Sequence, residues 1–275
     1  MDTSAAGSEW SAVAAAWDAN TDHVDGHTVA ATAALLDRVA VQLGDRVLEL
    51  AAGPGSLGDT WSRLVGASGQ VLLSDIAAGM VEVARRRNAT VDNVECAVLD
   101  ASTIDRPDAS YDVVACRMGL MFTHDPAIAL AEIHRVLAPG GRFGALTWGG
   151  MEHNPWMTCV GMAAMMNGVV TGGPPVGPGS IFSLGDPGRL AELVTGAGFV
   201  DVGVEEIDVM FVAADIDSHV TQVSSLAGPL AAALSAASAE QQAAVRRTAA
   251  DLAGNYLTAD GLHVPGRALL VSGRR

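Results

Sequence analysis

The sequence predicts an α/β protein with one mostly parallel sheet of about seven strands and helices on both faces. Two observations carry this prediction. From residue 46 onward, short apolar runs alternate with helical patterns, which is typical of βαβ units, because parallel neighbours need a crossover between them. The runs also show little polar alternation, as expected of strands that are covered on both faces.

The first half of the chain supplies most of the predicted sheet. The spacing of apolar residues predicts a helix over 29–43 and a weaker one over 10–17. Pro126 opens the clearest helix, and Pro139-Gly140-Gly141 ends it. The predicted strands cover residues 46–50, 70–74, 94–99, 111–116 and 141–148.

The alternation breaks after Trp148. Residues 149–182 combine a Met-rich stretch with Gly- and Pro-rich motifs at 172–175 and 177–179, which favours a mobile flap. A helix over 186–197, a strand over 200–211, Ala-rich helices over 215–255 and a last strand over 266–272 follow. We therefore expect one domain over 1–275, with a helical N-terminal cover (1–45), a core (46–148), a flap (149–185) and a C-terminal half (186–275) that carries a helical insertion at about 215–258.

Charge and composition limit the partners. With 16 Lys+Arg against 31 Asp+Glu, the formal charge of −15 opposes a nucleic acid. The three cysteines show no CxxC spacing, which favours a reducing compartment and no metal site. No signal peptide is evident, and the most apolar segment, 156–170, is too short to span a bilayer. We expect a soluble cytoplasmic protein with a small-molecule substrate and no membrane, and we allow for a homodimer.

The most informative motif is a strand that runs into a glycine-rich turn, Val47-Leu48-Glu49-Leu50-Ala51-Ala52-Gly53-Pro54-Gly55. Glycine lets a backbone approach a ligand closely, and open α/β sheets bind ligands at this end of their strands. The same letters contain Gly53-x-Gly55-x-x-Gly58, the dinucleotide-binding pattern, and Asp75 can hold a ribose in either kind of enzyme. The loop alone leaves open an adenosyl cofactor, a nicotinamide dinucleotide and a structural turn.

Five segments in order resemble the motifs of class I S-adenosylmethionine-dependent methyltransferases. Glu49, Gly53 and Gly55 resemble the acidic-x-Gly-x-Gly-x-Gly signature, with Ala51 in place of the first glycine, which adds only one methyl group. Residues 72–80, 98–101 and 111–114 are similar to the second, third and fourth motifs. Residues 135–142, Arg-Val-Leu-Ala-Pro-Gly-Gly-Arg, are similar to a segment of the ubiquinone/menaquinone-biosynthesis group (methyltransferase domain 11/25). The resemblance implies a Rossmann-like sheet with a reversed last strand.

The resemblance also implies a cofactor site for S-adenosyl-L-methionine, which would leave as S-adenosyl-L-homocysteine. Asp75 would accept both ribose hydroxyls, Asp100 would accept the adenine amino proton, and Glu49 would orient the loop or reach the cofactor amino group through water. A position in the hydrophobic core explains Met80 equally well. A structural role explains Arg117 and Met118 equally well. The full set of predicted cofactor residues is Glu49, Ala51, Gly53, Gly55, Asp75, Ile76, Met80, Asp100, Ala101, Arg117 and Met118.

Methyl transfer to O, N or C depends mainly on holding donor and acceptor together, which contributes about 7–11 kcal/mol in model systems. A histidine base helps when the nucleophile is a phenol, an enol or an acidic carbon. His153, after the fifth predicted strand, is the first candidate, and His124, after the fourth, is the second. His23 and His27 lie in the N-terminal segment, which often covers the cofactor in this family.

The acceptor is expected to be a small hydrophobic or aromatic metabolite of secondary or cofactor metabolism. The Met-rich flap and the insertion would cover it, because methionine adapts to irregular apolar shapes. Two other functions stay open. One is an NAD(P)-dependent oxidoreductase that uses the Gly53-x-Gly55-x-x-Gly58 loop, although the chain has no lysine for a Tyr-x-x-x-Lys pair. The other is a non-catalytic protein that binds S-adenosylmethionine.

Overall fold

A computed structural model describes residues 3–172, 175–226 and 228–275, and it confirms the predicted α/β class. The strands form one sheet. They are β1 (Arg46–Leu50), β2 (Gln70–Asp75), β3 (Val94–Val98), β4 (Tyr111–Arg117), β5 (Leu137–Trp148), β6 (Val200–Ala213), β7 (Leu257–Thr258) and β8 (Gly261–Arg274). The order is β3-β2-β1-β4-β5-β8-β6, with β7 paired to β8. The strands β1 to β5 pair in parallel, whereas β8 runs antiparallel to both β5 and β6, which confirms the reversed last strand.

Helices flank this sheet on both faces. They are α1 (Thr3–Ala12), α2 (Ala14–Ala19), α3 (Thr21–Val39), α4 (Gly58–Val65), α5 (Ala78–Arg87), α6 (Pro126–Val136), α7 (Pro155–Met166), α8 (Pro187–Gly196), α9 (Ile216–Leu226), α10 (Gly228–Ala236) and α11 (Ala239–Ala253). Gly144 of β5 lets α3 approach one face, because a Cβ there would lie 2.6–2.7 Å from Val39 and Leu35. On the other face, Phe143 packs against Phe199 with the ring centroids 5.1 Å apart.

Several predicted boundaries were wrong for local reasons. The helix predicted at 29–43 begins earlier, at Thr21. It ends at Val39, because Ala40 adopts a left-handed φ of 43°. Helix α6 ends at Val136 as its chain enters β5, so the Pro139-Gly140-Gly141 segment lies inside a longer strand. The last strand covers Gly261–Arg274 rather than 266–272. The sheet has one strand more than the seven predicted, the two-residue β7.

Two segments outside the predicted core contain helices. Residues 3–12 form α1 in the predicted N-terminal cover; Met1 and Asp2 lie outside the described residues. Within the predicted flap, residues 155–166 form α7, whose buried side chains include Trp156 and Val160. Gly173 and Pro174 of the flap motif lie outside the described residues.

The elements around the carboxyl ends of β1, β2 and β4 form the part of the fold that can hold a ligand. Helices α1 and α2 lie against α5, and α3 crosses the sheet above β4, β5 and β6. The insertion, α9 to α11, contacts α7 and the N-terminal helices. Within the described ranges, no helix is both long enough and apolar enough to cross a bilayer.

Candidate functional site

The loop after β1 has an unusual backbone. Ala51, Gly53 and Gly55 adopt left-handed φ angles of 51°, 55° and 73°. Glycine takes this conformation readily, whereas alanine takes it at a cost of about 1–2 kcal/mol. The methyl group of Ala51 lies against Gly119, because a Cβ added to Gly119 would be only 2.2 Å from it. The absence of a side chain at Gly119 thus makes room for the methyl group of Ala51.

The Gly53 position is open. A Cβ built on Gly53 would meet no atom within 4 Å, whereas one on Gly55 would lie 2.8 Å from Ala84 of α5. Gly55 therefore serves packing of the loop onto α5, and Asn88 holds the same turn by donating to the Gly55 carbonyl at 3.0 Å. The open face of the loop at Gly53 can receive a ligand.

Asp75 connects the end of β2 to this loop. Its Oδ2 accepts a hydrogen bond from the Gly53 amide at 3.0 Å, and its Oδ1 accepts one from the Ala77 amide at 2.9 Å. The side chain is buried, and burial raises its pKa while the backbone amides oppose the increase. Because a carboxylate has about four lone-pair sites, both oxygens can accept further hydrogen bonds from a ligand.

Glu49 is a buried carboxyl behind the loop. Only 1% of its surface is exposed, and its Oε2 accepts a hydrogen bond from the Trp61 indole nitrogen at 2.8 Å. Burial raises the pKa of Glu49 to about 7, although the charge of Arg117 and the Trp61 hydrogen bond oppose this shift. The site thus contains a carboxyl group whose charge changes near neutral pH.

Arg117 ties the N-terminal cover to the loop. Its guanidinium group donates to Asp25 Oδ1 of α3 at 2.5 Å and to Ser56 Oγ, just after the glycine-rich turn, at 2.7 Å. The Arg117 side chain is 12% exposed. Asp25 and Ser56 are not among the predicted site residues. No local motif indicates that they pair with Arg117, which lies 92 and 61 residues further along the chain. The next residue, Met118, has a left-handed φ of 58° and donates its amide to the Leu146 carbonyl at 2.9 Å.

Asp100 and Ala101 lie beside Asp75, after the end of β3. The pairing of Asp75 with Val98 and the hydrogen bond from the Leu99 amide to the Asp75 carbonyl bring the two strand ends together. The Asp100 carboxylate accepts a hydrogen bond from the Ser102 amide at 2.8 Å. Asp100 and Ala101 are both half-buried, so the structure brings these predicted residues to the same edge as Asp75.

Ile76 and Met80 differ in their surroundings. Ile76 is half-buried under α1, where Gly7 allows the close approach, because a Cβ there would lie 2.9 Å from the Ile76 carbonyl oxygen. Met80 is buried in a small cluster with Ala14 of α2 and Val83 of α5. This placement fits the core alternative for Met80 and makes Ile76 the better-placed apolar wall.

The two predicted bases lie at the surface. His153 is exposed in a short 3-10 turn, and its Nε2 lies 3.5 Å from Oε1 of the exposed Glu152. His124 is exposed just before Asp125, which caps α6. Both residues follow strands of the parallel part of the sheet, but they are exposed instead of being enclosed with the loop.

A different group of histidines is partly enclosed. His23 and His27 of α3 form a hydrogen bond between their Nε2 atoms at 3.0 Å, and the His27 ring centroid lies 5.0 Å from that of Phe211. His219 of α9 is buried and bonds through Nε2 to the Trp156 carbonyl at 2.7 Å. We call His23, His27 and His219 the histidine cluster. No set of three or more metal-ligating side chains in the described chain is arranged to hold an ion.

The histidine cluster adjoins three aromatic rings. Phe211 stacks on Trp156 with centroids 4.1 Å apart and planes 15° apart, and Trp148 lies 4.8 Å from Trp156. Burial is the largest cause that lowers the pKa of His27, to about 4, and the charges of His23 and His219 act in the same direction. Burial also lowers the pKa of His219, although its hydrogen bond with the Trp156 carbonyl opposes this shift.

Comparisons with known proteins match a segment in the first half of the chain. A family model described as "Methyltransferase domain" matches residues 47–141. The ubiquinone/menaquinone biosynthesis C-methyltransferase of Hahella chejuensis is 42% identical over 110 residues, which are 39% of this chain and 44% of that protein. The match thus spans less than half the length of that relative.

Solved structures match over more of the chain at low identity. The YcgJ protein of Bacillus subtilis aligns with a TM-score of 0.60 and 18% identity, over 88% of this chain and 97% of its own. The phosphoethanolamine N-methyltransferase 2 of Haemonchus contortus, in complex with phosphomonomethylethanolamine and S-adenosylhomocysteine, aligns with a TM-score of 0.56 and 20% identity, over 89% of this chain and 52% of its own. At such identities these matches support the fold alone.

Proposed function

We propose that this chain, whose residues 47–141 match a family model described as "Methyltransferase domain", is a class I S-adenosylmethionine-dependent methyltransferase that transfers a methyl group to a small apolar metabolite. The observation that carries the proposal is the bond from the Gly53 amide to the buried Asp75 carboxylate at 3.0 Å, beside the open face of the loop. This arrangement offers a backbone surface and a carboxylate acceptor to one ligand.

The residues present fit the adenosyl cofactor. Asp75 has lone pairs available for the ribose hydroxyls, and Asp100 and Ala101 lie next to it for the adenine. Ile76 offers an apolar contact to the ring. Arg117, which donates to Ser56 of the loop, and the buried Glu49 carboxyl would face the charged methionine portion. The backbone at Ala51, Gly53, Gly55 and Met118 would line its path. When bound, S-adenosylmethionine supplies an electrophilic methyl group on a cationic sulfonium.

The third glycine of the loop does not distinguish an adenosyl cofactor from a dinucleotide. A Cβ on Gly58 would lie 2.1 Å from the Asn88 side chain, so this glycine serves packing between α4 and α5. A helix-packing role for the third glycine is compatible with dinucleotide enzymes as well. Direct binding therefore has to separate the two cofactors.

For the acceptor, we propose a flat, hydrophobic or aromatic metabolite. The curated relatives are named ubiquinone/menaquinone biosynthesis C-methyltransferases. In this chain Trp148, at the carboxyl end of β5, packs with the rings of Trp156 and Phe211. Helices α9 to α11 would cover this side, in a single domain of the kind predicted. His153 and His124 remain predicted bases, and a cytoplasmic location and a homodimer remain part of the proposal.

Calorimetric titration of the purified chain with S-adenosylhomocysteine and, separately, with NADH tests the proposal. We expect S-adenosylhomocysteine to bind at micromolar concentration and NADH to show no heat of binding. An Asp75→Ala variant should bind the nucleoside more weakly, and the exposed Asp260→Ala serves as the matched control. Binding of NADH without S-adenosylhomocysteine would transfer the chain to the oxidoreductases.

A further inference from the structure

We infer that Glu49 and Asp25 determine cofactor specificity by charge. They keep the surroundings of the glycine-rich loop negative, so that the loop binds S-adenosylmethionine, whose sulfonium is cationic, more tightly than S-adenosylhomocysteine, whose sulfur is neutral. This inference rests on the proposed methyltransferase function and deepens it, since it names residues that distinguish the methyl donor from its own product. A charge acts through the intervening protein, so neither residue has to touch the sulfur.

In the described part of the chain, three carboxyl groups and the Arg117 guanidinium lie around the glycine-rich loop. Asp75, at the end of β2, accepts a hydrogen bond from the Gly53 amide, and Glu49 lies behind the loop in β1. The Arg117 guanidinium donates to Asp25 at 2.5 Å, so the charges of these two residues compensate each other. When all four groups are ionised, the excess charge is therefore negative and comes from Glu49 and Asp75.

Glu49 is within electrostatic range of both ends of the proposed cofactor site. Burial is the largest cause that raises its pKa; the charge of Arg117 opposes the increase, and the charges of Asp25 and Asp75 add to it. Asp75 marks the ribose end of the site, and Arg117 marks the methionine end. In S-adenosylmethionine the sulfur joins the ribose to the methionine chain, so a cofactor bound between these ends has its sulfur in the same range.

The Glu49 carboxyl is poorly compensated where it lies. Its Oε2 accepts a hydrogen bond from the uncharged Trp61 indole at 2.8 Å, and its Oε1 has no hydrogen-bond partner among the described residues. The residue is only 1% exposed, so water stabilises its charge little. A cation that binds nearby stabilises this carboxylate and is stabilised by it in return. The sulfonium of the methyl donor is such a cation, whereas the thioether of the product is not.

The pH dependence of this effect involves the groups that act on Glu49 from the elements around it. They are Arg117 and Cys116 of β4, Asp25 of α3 and Asp75 of β2, while α4 contributes the uncharged indole of Trp61. Burial raises the pKa of the Cys116 thiol to about 12, so this group stays uncharged near neutral pH. Burial also raises the pKa of Asp75, and a variant that lacks only the Glu49 charge separates the two carboxyl groups.

The expected selectivity follows from Coulomb's law. For a sulfur on the order of 10 Å from the Glu49 carboxyl and an effective dielectric constant of about 20, one charge changes the affinity for a cation by roughly tenfold. Binding of the sulfonium lowers the pKa of Glu49, which is about 7 in the free protein. The preference due to Glu49 is therefore fully present above pH 7 and is lost as the carboxyl becomes protonated at lower pH.

Calorimetric titration of the full chain with S-adenosylmethionine and with S-adenosylhomocysteine, without a methyl acceptor, tests the inference at pH 5.5 and pH 8.5. The ratio of the two dissociation constants is the preference for the methyl donor. We expect this preference to rise about fivefold to tenfold from the lower to the higher pH in the wild-type chain, relative to Glu49→Gln. The amino groups of the ligands and Asp75 also titrate, but they do so in both proteins.

Asp25→Asn tests the second residue. Its side-chain oxygen can still accept a hydrogen bond from Arg117, but the guanidinium charge is no longer compensated, so the preference should fall about threefold to tenfold at both pH values. Asp37→Asn is the matched control, because Asp37 is exposed on the same helix, about 18 Å further along its axis. Circular dichroism checks the fold of each variant. If Glu49→Gln loses the fold, Asp25→Asn, a change at a half-buried residue, decides whether charge sets the preference.

The outcomes separate the two levels of the proposal. A wild-type chain that binds neither adenosyl ligand contradicts the methyltransferase function. A chain that binds both, with the same pH dependence of the preference in the wild type and in Glu49→Gln, overturns the role of Glu49. A preference that Asp25→Asn leaves unchanged, or that Asp37→Asn lowers equally, overturns the role of Asp25.

Discussion

Replacement of Glu49 by glutamine should make the protein more stable at alkaline pH and change little at acidic pH. Glutamine has nearly the same volume, and its Oε1 can still accept the hydrogen bond from the Trp61 indole at the position that Glu49 Oε2 occupies. The substitution removes the charge of a residue that is only 1% exposed. Removing a buried charge without creating a cavity isolates its electrostatic contribution.

The magnitude follows from the pKa of Glu49. Burial raises it from the ordinary 4.5 to about 7. Below pH 4.5 the carboxyl is protonated in both folded and unfolded chains, and between pH 4.5 and 7 only the folded chain holds the proton. The free energy of unfolding therefore falls with rising pH across this window and levels off above 7. At about 1.4 kcal/mol for each pKa unit, the loss is about 3 kcal/mol.

Urea unfolding at pH 5 and pH 8.5, followed by circular dichroism, measures the effect. We expect Glu49→Gln to exceed the wild type by about 3 kcal/mol at pH 8.5 and by less than about 1 kcal/mol at pH 5, where most of the Glu49 carboxyl is still protonated in the fold. The exposed Glu95→Gln should show no such difference between the two pH values. A gap between Glu49→Gln and wild type that is independent of pH would refute the assignment of a raised pKa to Glu49.

Three further predictions use other contacts of the site. Trp61→Phe removes the donor to the buried Glu49 carboxyl and should lower the free energy of unfolding by about 1.5–3 kcal/mol at pH 8.5, measured by the same urea titration; an unchanged value would show that the hydrogen bond is replaced. Gly119→Ala would place a Cβ 2.2 Å from that of Ala51 and should cost about 1–3 kcal/mol of stability. Gly161→Ala has no atom within 4 Å of its Cβ and should gain up to about 1 kcal/mol. Equal thermal midpoints for the two variants would contradict this packing. Asp75→Ala should weaken S-adenosylhomocysteine binding by about 1.5–3 kcal/mol in calorimetry, and full affinity would remove Asp75 from the proposed site.

Much of the cofactor side could be read from the sequence because it depends on local patterns. A strand, a turn that needs left-handed φ angles and a following helix lie within some twenty residues, so Glu49, Gly53 and Gly55 are recognisable from their order alone. Asp75 and Asp100 follow the next two strands. In a parallel sheet, the carboxyl ends of neighbouring strands meet at one edge, so these carboxylates were expected to lie together.

The sequence by itself determined the α/β class, the parallel core and the glycine-rich loop with its carboxylates, since periodicity and turn residues act over short distances along the chain. Only the tertiary structure decided that Arg117 pairs with Asp25, 92 residues away, and that His27 of α3 contacts Phe211 of β6. It also decided that His153 is exposed and Met80 is buried. Such contacts depend on how α3, β6 and α9 pack against one another, and no local pattern encodes the distance between side chains that the fold alone brings together.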